Sequence, residues 1–174
     1  MDLEERKKKI AALIAQGGIV TPQTLADATE QSALDACRCL PEGMAAFAPG
    51  EDFEEIWNVA ASWERATFIA MTRGGVLEIE GRLSRGRNAM GYFNLFDKDA
   101  PLHGHLKPNE VAAIGLASIP FMGRESHAIH FFSSDGDLLY SVHVGRRNHE
   151  IIKSALDSFL SLKDRLSAKG AGGE

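Results

Sequence analysis

HAIHFFSSDGDLLYSVHVG, residues 127–145, decides the fold. Two apolar runs flank Asp135-Gly136, and Asp-Gly between such runs is a strong hairpin cue, because glycine accepts the positive φ of a tight reverse turn. The spacing therefore predicts an antiparallel pair. Upstream, further strands are expected in EVAAIGLASIPFM (110–122), PLHGHL (101–106), AMGYFNLF (89–96), VLEIEGRL (76–83) and ATFIAMT (66–72). In VLEIEGRL, Leu77 and Ile79 alternate with Glu78 and Glu80, the pattern of a strand with one wet face. Strands joined by connections this short pair antiparallel, since a parallel crossover needs a dozen residues or more.

Helices bracket the strands. LEERKKKIAALIA (3–15) is stopped by Gly17-Gly18, and Thr21-Pro22 reads as an N-cap followed by proline at the first helical position. A further short helix is expected over Ser32–Leu40, an amphipathic one over 51–62, and a long one over 148–168 with Ile151, Ile152, Ala155, Leu156, Phe159 and Leu160 in its apolar stripe. The fold class is α+β: a large antiparallel β-sheet flanked by helices. It divides into a small helical N-terminal segment (1–45), a sheet domain with its closing helix (46–167) and a frayed tail (168–174), together forming one compact unit.

The chain has 174 residues, 44% of them apolar and 25% charged, which suits one globular domain. Its net charge of -5 speaks against sequence-independent nucleic-acid binding, which requires a basic face. The three N-terminal helices resemble a helix-turn-helix, but SALDACRCL offers one arginine and no Asn or Gln for base edges. No segment reads as a secretory signal or a membrane span, so a cytoplasmic, soluble protein is expected. Cys37 and Cys39 form a single C-x-C. On a helix their side chains diverge by roughly 200°, so buried packing is the plainer reading than zinc.

No P-loop, dinucleotide fingerprint, H-E-x-x-H or nucleophile elbow occurs, and no catalytic residue is assigned. All six histidines follow residue 100: His103, His105, His127, His130, His143 and His149. His103 and His105 share a strand face, but a zinc site needs three ligands converging on one point. Tyrosine occurs only at 92 and 140. On its strand Tyr92 shares a face with Asn94, opposite Phe93 and Leu95. Gly91 beside Tyr92 is read as leaving room for a large flat group.

Taken in order, several segments resemble the ChuX/HutX family of cytosolic haem-utilisation carriers. They are LPEG (40–43), Trp57 and Trp63 in a W-x5-W helix, GYFNLF (91–96), GHLKPNEVAAI (104–114), PFMGRES (120–126), FFSSDGDLLYSVHVGR (131–146) and a closing helix with SFLSL. The resemblance implies a homodimer whose protomer is similar to half of the duplicated ChuS/HemS-type haem-degrading fold. It implies binding of ferric haem b and hand-over, intact, to a haem-degrading partner enzyme. Within GYFNL the family's tyrosine ligand falls on Tyr92, and the GHL histidine falls on His105. The family's second histidine falls near Met71, so a two-histidine scheme does not carry over.

A phenolate is a hard anion that favours ferric iron and suppresses the oxygen chemistry of the ferrous state, which suits a carrier. Around such a site, Phe93, Phe121, Met122, Phe131 and Phe132 are expected to offer apolar wall. Lys107, Arg146 and Arg147 are candidates for the propionates, and Arg82, Arg85 and Arg87 for cations that keep a phenolate ionised. Two rivals stay open: a haem-degrading enzyme using His105, and a haem-responsive regulator working through the N-terminal helices.

Overall fold

The computed structural model describes residues 1–172. In chain order the elements are α1 (Leu3–Gln16), α2 (Pro22–Thr29), α3 (Ala33–Arg38), β1 (Ala45–Pro49), α4 (Phe53–Ala61), β2 (Ala66–Thr72), β3 (Gly75–Gly81), β4 (Gly86–Ala89), β5 (Tyr92–Leu95), β6 (Gly104–Leu106), β7 (Ala113–Ser118), β8 (His127–Phe132), β9 (Leu138–Val144), β10 (Arg146–Arg147), β11 (Glu150–Ile151) and α5 (Lys153–Ala171).

β8 and β9 form the expected hairpin, with Ile129 opposite Val142 and Phe131 opposite Tyr140. Gly136 takes φ +80° at its tip, and its carbonyl accepts from the Leu34 amide at 3.0 Å, which docks the hairpin on α3. This pair is the middle of a six-stranded antiparallel sheet ordered β1-β7-β8-β9-β2-β3.

The period of two sorts the sheet into faces. Ile114, Leu116, Ile129, Phe131, Val142 and Phe68 point to one side, where α4 and α5 supply Phe53, Ile56, Trp57, Phe159 and Leu162 to a single core. Ala113, Ala117 and Phe132 point to the other side and pack with Ile10, Leu25, Leu34 and Cys37 of α1–α3. The N-terminal helices are thus the second cover of the sheet. α1 and α2 both open with reciprocal capping boxes, through Asp2–Glu5 and Thr21–Thr24. Cys37 and Cys39 are buried in this packing, and burial pushes the Cys37 thiol up to about 12, so it stays protonated.

The structure corrects the sequence reading at several points. Residues 89–96 are not one strand: the chain reverses at Met90 (φ +55°) and Gly91 (φ +80°), so β4 and β5 form a hairpin. Together with β6 they make a separate three-stranded sheet outside the large one. Gly91 therefore serves the turn, where its φ of +80° is one that glycine adopts freely, and the space beside it is open. β1 went unread because AAFAP is short and ends in proline, which only an edge strand tolerates. Asn148 and His149 take positive φ between β10 and β11, so α5 starts only at Lys153. At the other end α5 runs to Ala171, through most of the stretch expected as a tail; Gly173 and Glu174 lie outside the described residues.

His130 and His143 are diagonal neighbours on the α1–α3 side of the sheet, with ring centroids 6.1 Å apart. Burial, then the neighbouring His143, lowers His130 from 6.5 to about 3; burial lowers His143 to about 4. Both are neutral in the folded protein, whereas an unfolded chain protonates them below 6.5. Between these values the unfolded state binds more protons, so stability is lost as pH falls from about 6.5 towards 4. Urea denaturation across that range is expected to show the loss, and His130→Gln to flatten it. A slope unchanged in His130→Gln would exclude this pair as its source.

Candidate functional site

The three-stranded sheet has one buried face and one open face. Phe93 and Leu95 are fully buried, and Phe93 meets Phe53 edge-on at 5.3 Å and Trp57 at 6.2 Å. Gly86 lies directly under the Phe93 ring: a side chain at that position would sit 2.0 Å from it. Ser84 ties the assembly down, its carbonyl accepting from Trp57 Nε1 at 2.9 Å and its hydroxyl accepting from the Asp97 amide at 2.7 Å. This packing fixes the opposite face as a wall.

That wall is built by register. Asn94 stands between Arg87 on β4 and His105 on β6, and Tyr92 stands opposite Ala89. The period of two adds Phe96 on the β5 side and His103 and Lys107 on the β6 side. Tyr92 is 39% exposed and Phe96 63%, and Arg85, Arg87, His105 and Lys107 are exposed. His105 lies between two aromatic rings, 5.8 Å from Tyr92 and 5.5 Å from Phe96, both edge-on. Lys107 Nζ is 5.9 Å from the Tyr92 ring centroid. On the other flank a groove of about 520 Å³ runs along Arg85, Arg87, Ala89, Asn94, Phe96 and Asp97. The wall thus offers a phenol and an imidazole for a metal, exposed aromatic surface for a flat ligand, and cations on two sides for its acidic groups.

The structure brings Tyr92, His105 and Lys107 together, sets Arg85 and Arg87 on the flank of the same wall, and leaves Phe93, Phe131, Phe132, Arg146 and Arg147 out of it. Phe93 and Phe131 are 0% exposed and belong to the core, so neither presents surface to a ligand; Phe132 is equally buried, against α1–α3. The period-two pattern marks which residues share a face but not which face is covered. Arg146 donates to the carbonyls of His149 and Glu125, so its guanidinium is committed to the β10–β11 corner. Arg147 pairs with Glu64, and Arg82 pairs with Asp97 at 2.9 Å. Met71 lies on β2, paired with Val76 of the edge strand β3.

Nor do the remaining histidines assemble a zinc site: among the described residues no three His, Cys, Asp or Glu side chains converge. His127 bridges Ser118 Oγ and Glu125 Oε1, each at 2.8 Å, and Lys163 donates to the same Ser118 hydroxyl at 3.0 Å, tying the end of the sheet to α5.

The sequence reading missed Asn94 and Phe96 as members of the wall. The alternation that isolated Tyr92 from Phe93 carries both of them.

Tyr92 and His105 reach the wall from adjacent strands of one sheet, on the same side.

Among the described residues no helix is long and apolar enough to cross a membrane. A family model described as haem utilisation ChuX/HutX matches residues 46–162. The intracellular haem transport protein HutX of Vibrio cholerae is 30% identical over 164 residues, covering 94% of this chain and 85% of that protein. The solved haem-binding protein ChuX superposes with a TM-score of 0.80 at 26% identity, covering 91% of this chain and 99% of that one. The Escherichia coli O157:H7 haem-degrading enzyme ChuS shares the fold at a TM-score of 0.73 and 15% identity; 94% of this chain covers 48% of ChuS, so the chain has the architecture of half of that larger protein.

Proposed function

The chain belongs to the ChuX/HutX haem-utilisation family, and from that premise we propose that it is an intracellular haem carrier that holds ferric haem b on the three-stranded sheet and passes it on intact. The observation that carries this reading is the wall itself: Tyr92 and His105 side by side on an exposed aromatic face, with Lys107 on one flank and Arg85 and Arg87 on the other. HutX, its relative, is an intracellular haem transport protein, and ChuX binds haem.

Tyr92 supplies a hard anionic oxygen for ferric iron. Phe96 and the Tyr92 ring would offer aromatic surface to the porphyrin, and Lys107, Arg85 and Arg87 would pair with its propionates. Phe121 and Met122, both exposed, stand on a turn whose Met122 amide donates to Gly18 at 2.7 Å, and they have no part in this face. One open wall shields one side of a flat ligand. A homodimer, in which a second copy covers the other side, fits that need, and a haem-degrading enzyme is the acceptor that the cargo's chemistry calls for.

Haem cargo in a carrier survives conditions under which an oxygenase consumes it. Purified protein loaded with haemin is expected to keep an intact porphyrin spectrum through incubation with ascorbate and oxygen. Conversion to an open-chain tetrapyrrole under those conditions would assign the chain to catalysis instead.

A further inference from the structure

We propose that Ser118, His127 and Glu125 form a second chemical site, a serine nucleophile with its base and its orienting carboxylate, which takes small activated esters as acyl donors. The site shares no residue with the aromatic wall and does not rest on the haem reading.

Topology sets the three side by side. Ser118 ends β7 and His127 begins β8, directly opposite one another in the register, and the connection between them returns through Glu125. Ser118 Oγ lies 2.8 Å from His127 Nδ1, and His127 Nε2 lies 2.8 Å from Glu125 Oε1. Donor and acceptor chemistry assigns the protons. A carboxylate only accepts, so Nε2 carries the hydrogen and Nδ1 keeps the lone pair of the neutral ring. Nδ1 therefore accepts, and the Ser118 hydroxyl donates its one hydrogen to it. The Lys163 ammonium donates to the same hydroxyl oxygen at 3.0 Å and to the Gly43 carbonyl at 2.9 Å. A hydroxyl aimed at an imidazole lone pair, with the far ring nitrogen held by a carboxylate, is the order that activates serine as a nucleophile. Serine here meets Nδ1, and either ring nitrogen serves as the base once the other holds the hydrogen.

The surroundings hold this relay and leave it reachable. The His127 ring is buried, with the Phe159 ring 5.5 Å away. Arg146 donates to the Glu125 carbonyl and so fixes the backbone that carries the carboxylate. Ser118 is half-buried, and the Glu125 side chain is 63% exposed. A pair with so exposed a partner adds little to folding, so stability alone does not account for the carboxylate.

On an ester, Oγ attacks the carbonyl carbon while its hydrogen passes to Nδ1. The bond from that carbon to the alcohol oxygen breaks, the alcohol leaves with the proton, and Ser118 carries the acyl group. Water then attacks the acyl carbon and gives a proton to Nδ1; the acid departs as Oγ takes that proton back. Glu125 stays ionised throughout and stabilises the imidazolium. Lys163 Nζ, beside Oγ, is the donor available to the carbonyl oxygen as it gathers negative charge. A half-buried serine at the end of a sheet suits a short acyl group, which sets the substrate class.

The test uses the full chain as wild type, Ser118→Ala, His127→Gln and Glu125→Ala, treated with a fluorophosphonate and with p-nitrophenyl acetate. Peptide mass spectrometry is expected to place the phosphonyl and acetyl groups on Ser118 of the wild type. Labelling is expected to slow about a hundredfold in His127→Gln, the lower end of what a general base contributes, and by a smaller factor in Glu125→Ala. Long-range proton–nitrogen correlation is expected to give His127 as the Nε2–H tautomer in wild type and as a mixture in Glu125→Ala, a change that a merely structural carboxylate would not produce. Glu125 is mostly exposed, so Glu125→Ala keeps the comparison even where the buried substitutions disturb folding. A folded wild type that takes no label on Ser118, an Nδ1–H tautomer in wild type, or labelling at the wild-type rate in Glu125→Ala overturns the inference.

Discussion

Tyr92→Phe is expected to weaken ferric haem binding at least about tenfold, and more than His105→Ala does. A tenfold loss corresponds to about 1.4 kcal/mol, a modest demand on a bond between an anionic oxygen and ferric iron. Phenylalanine keeps the aromatic ring, and with it the stacking surface and the seat of Lys107 5.9 Å away, so the substitution removes only the oxygen. His105→Ala leaves that oxygen in place. Titration of each purified protein with haemin, followed by absorption, gives the ranking. Equal affinities for wild type and Tyr92→Phe would remove the tyrosine from the site.

Phe93→Ala is expected to cost about 3–5 kcal/mol of folding stability, the range for deleting a buried aromatic ring. Phe93 is fully enclosed by Phe53, Trp57 and the backbone of Gly86, so its removal opens a cavity between the three-stranded sheet and α4. The wall that bears Tyr92 and His105 loses its backing, and haem binding falls as a consequence of a loosened sheet. Urea denaturation of the haem-free protein separates this from direct contact. A wild-type midpoint with weakened haem binding would mean that Phe93 touches the ligand after all.

These two neighbours show how far local pattern reaches. The alternation in YFNL assigns Tyr92 and Asn94 to one face and Phe93 and Leu95 to the other, and the burial agrees. What alternation cannot give is the layer each face meets, which depends on α4 crossing behind the small sheet. Phe131 was misplaced for the same reason: its strand was legible from Asp135-Gly136, but its cover, Phe53 and Trp57, comes from more than seventy residues upstream. The β4–β5 turn was hidden because Met90 takes a positive φ that a residue with a side chain seldom adopts, and Gly91 alone was too ambiguous to mark it. Arg146 and Lys107 looked alike as free cations; only the three-dimensional surroundings show the first committed to backbone carbonyls and the second beside Tyr92. The contribution of Asn94 required the register of three strands, since its partners lie on β4, on its own strand and on β6.

The most direct test of the account is the resonance Raman spectrum of the ferric haem complex, recorded with excitation into the phenolate-to-iron charge-transfer band. Wild-type protein is expected to show tyrosinate ring modes, and Tyr92→Phe to lose them while still folding. A wild-type complex without those modes, or modes that survive in Tyr92→Phe, would contradict the assignment of Tyr92 as the residue that holds the iron.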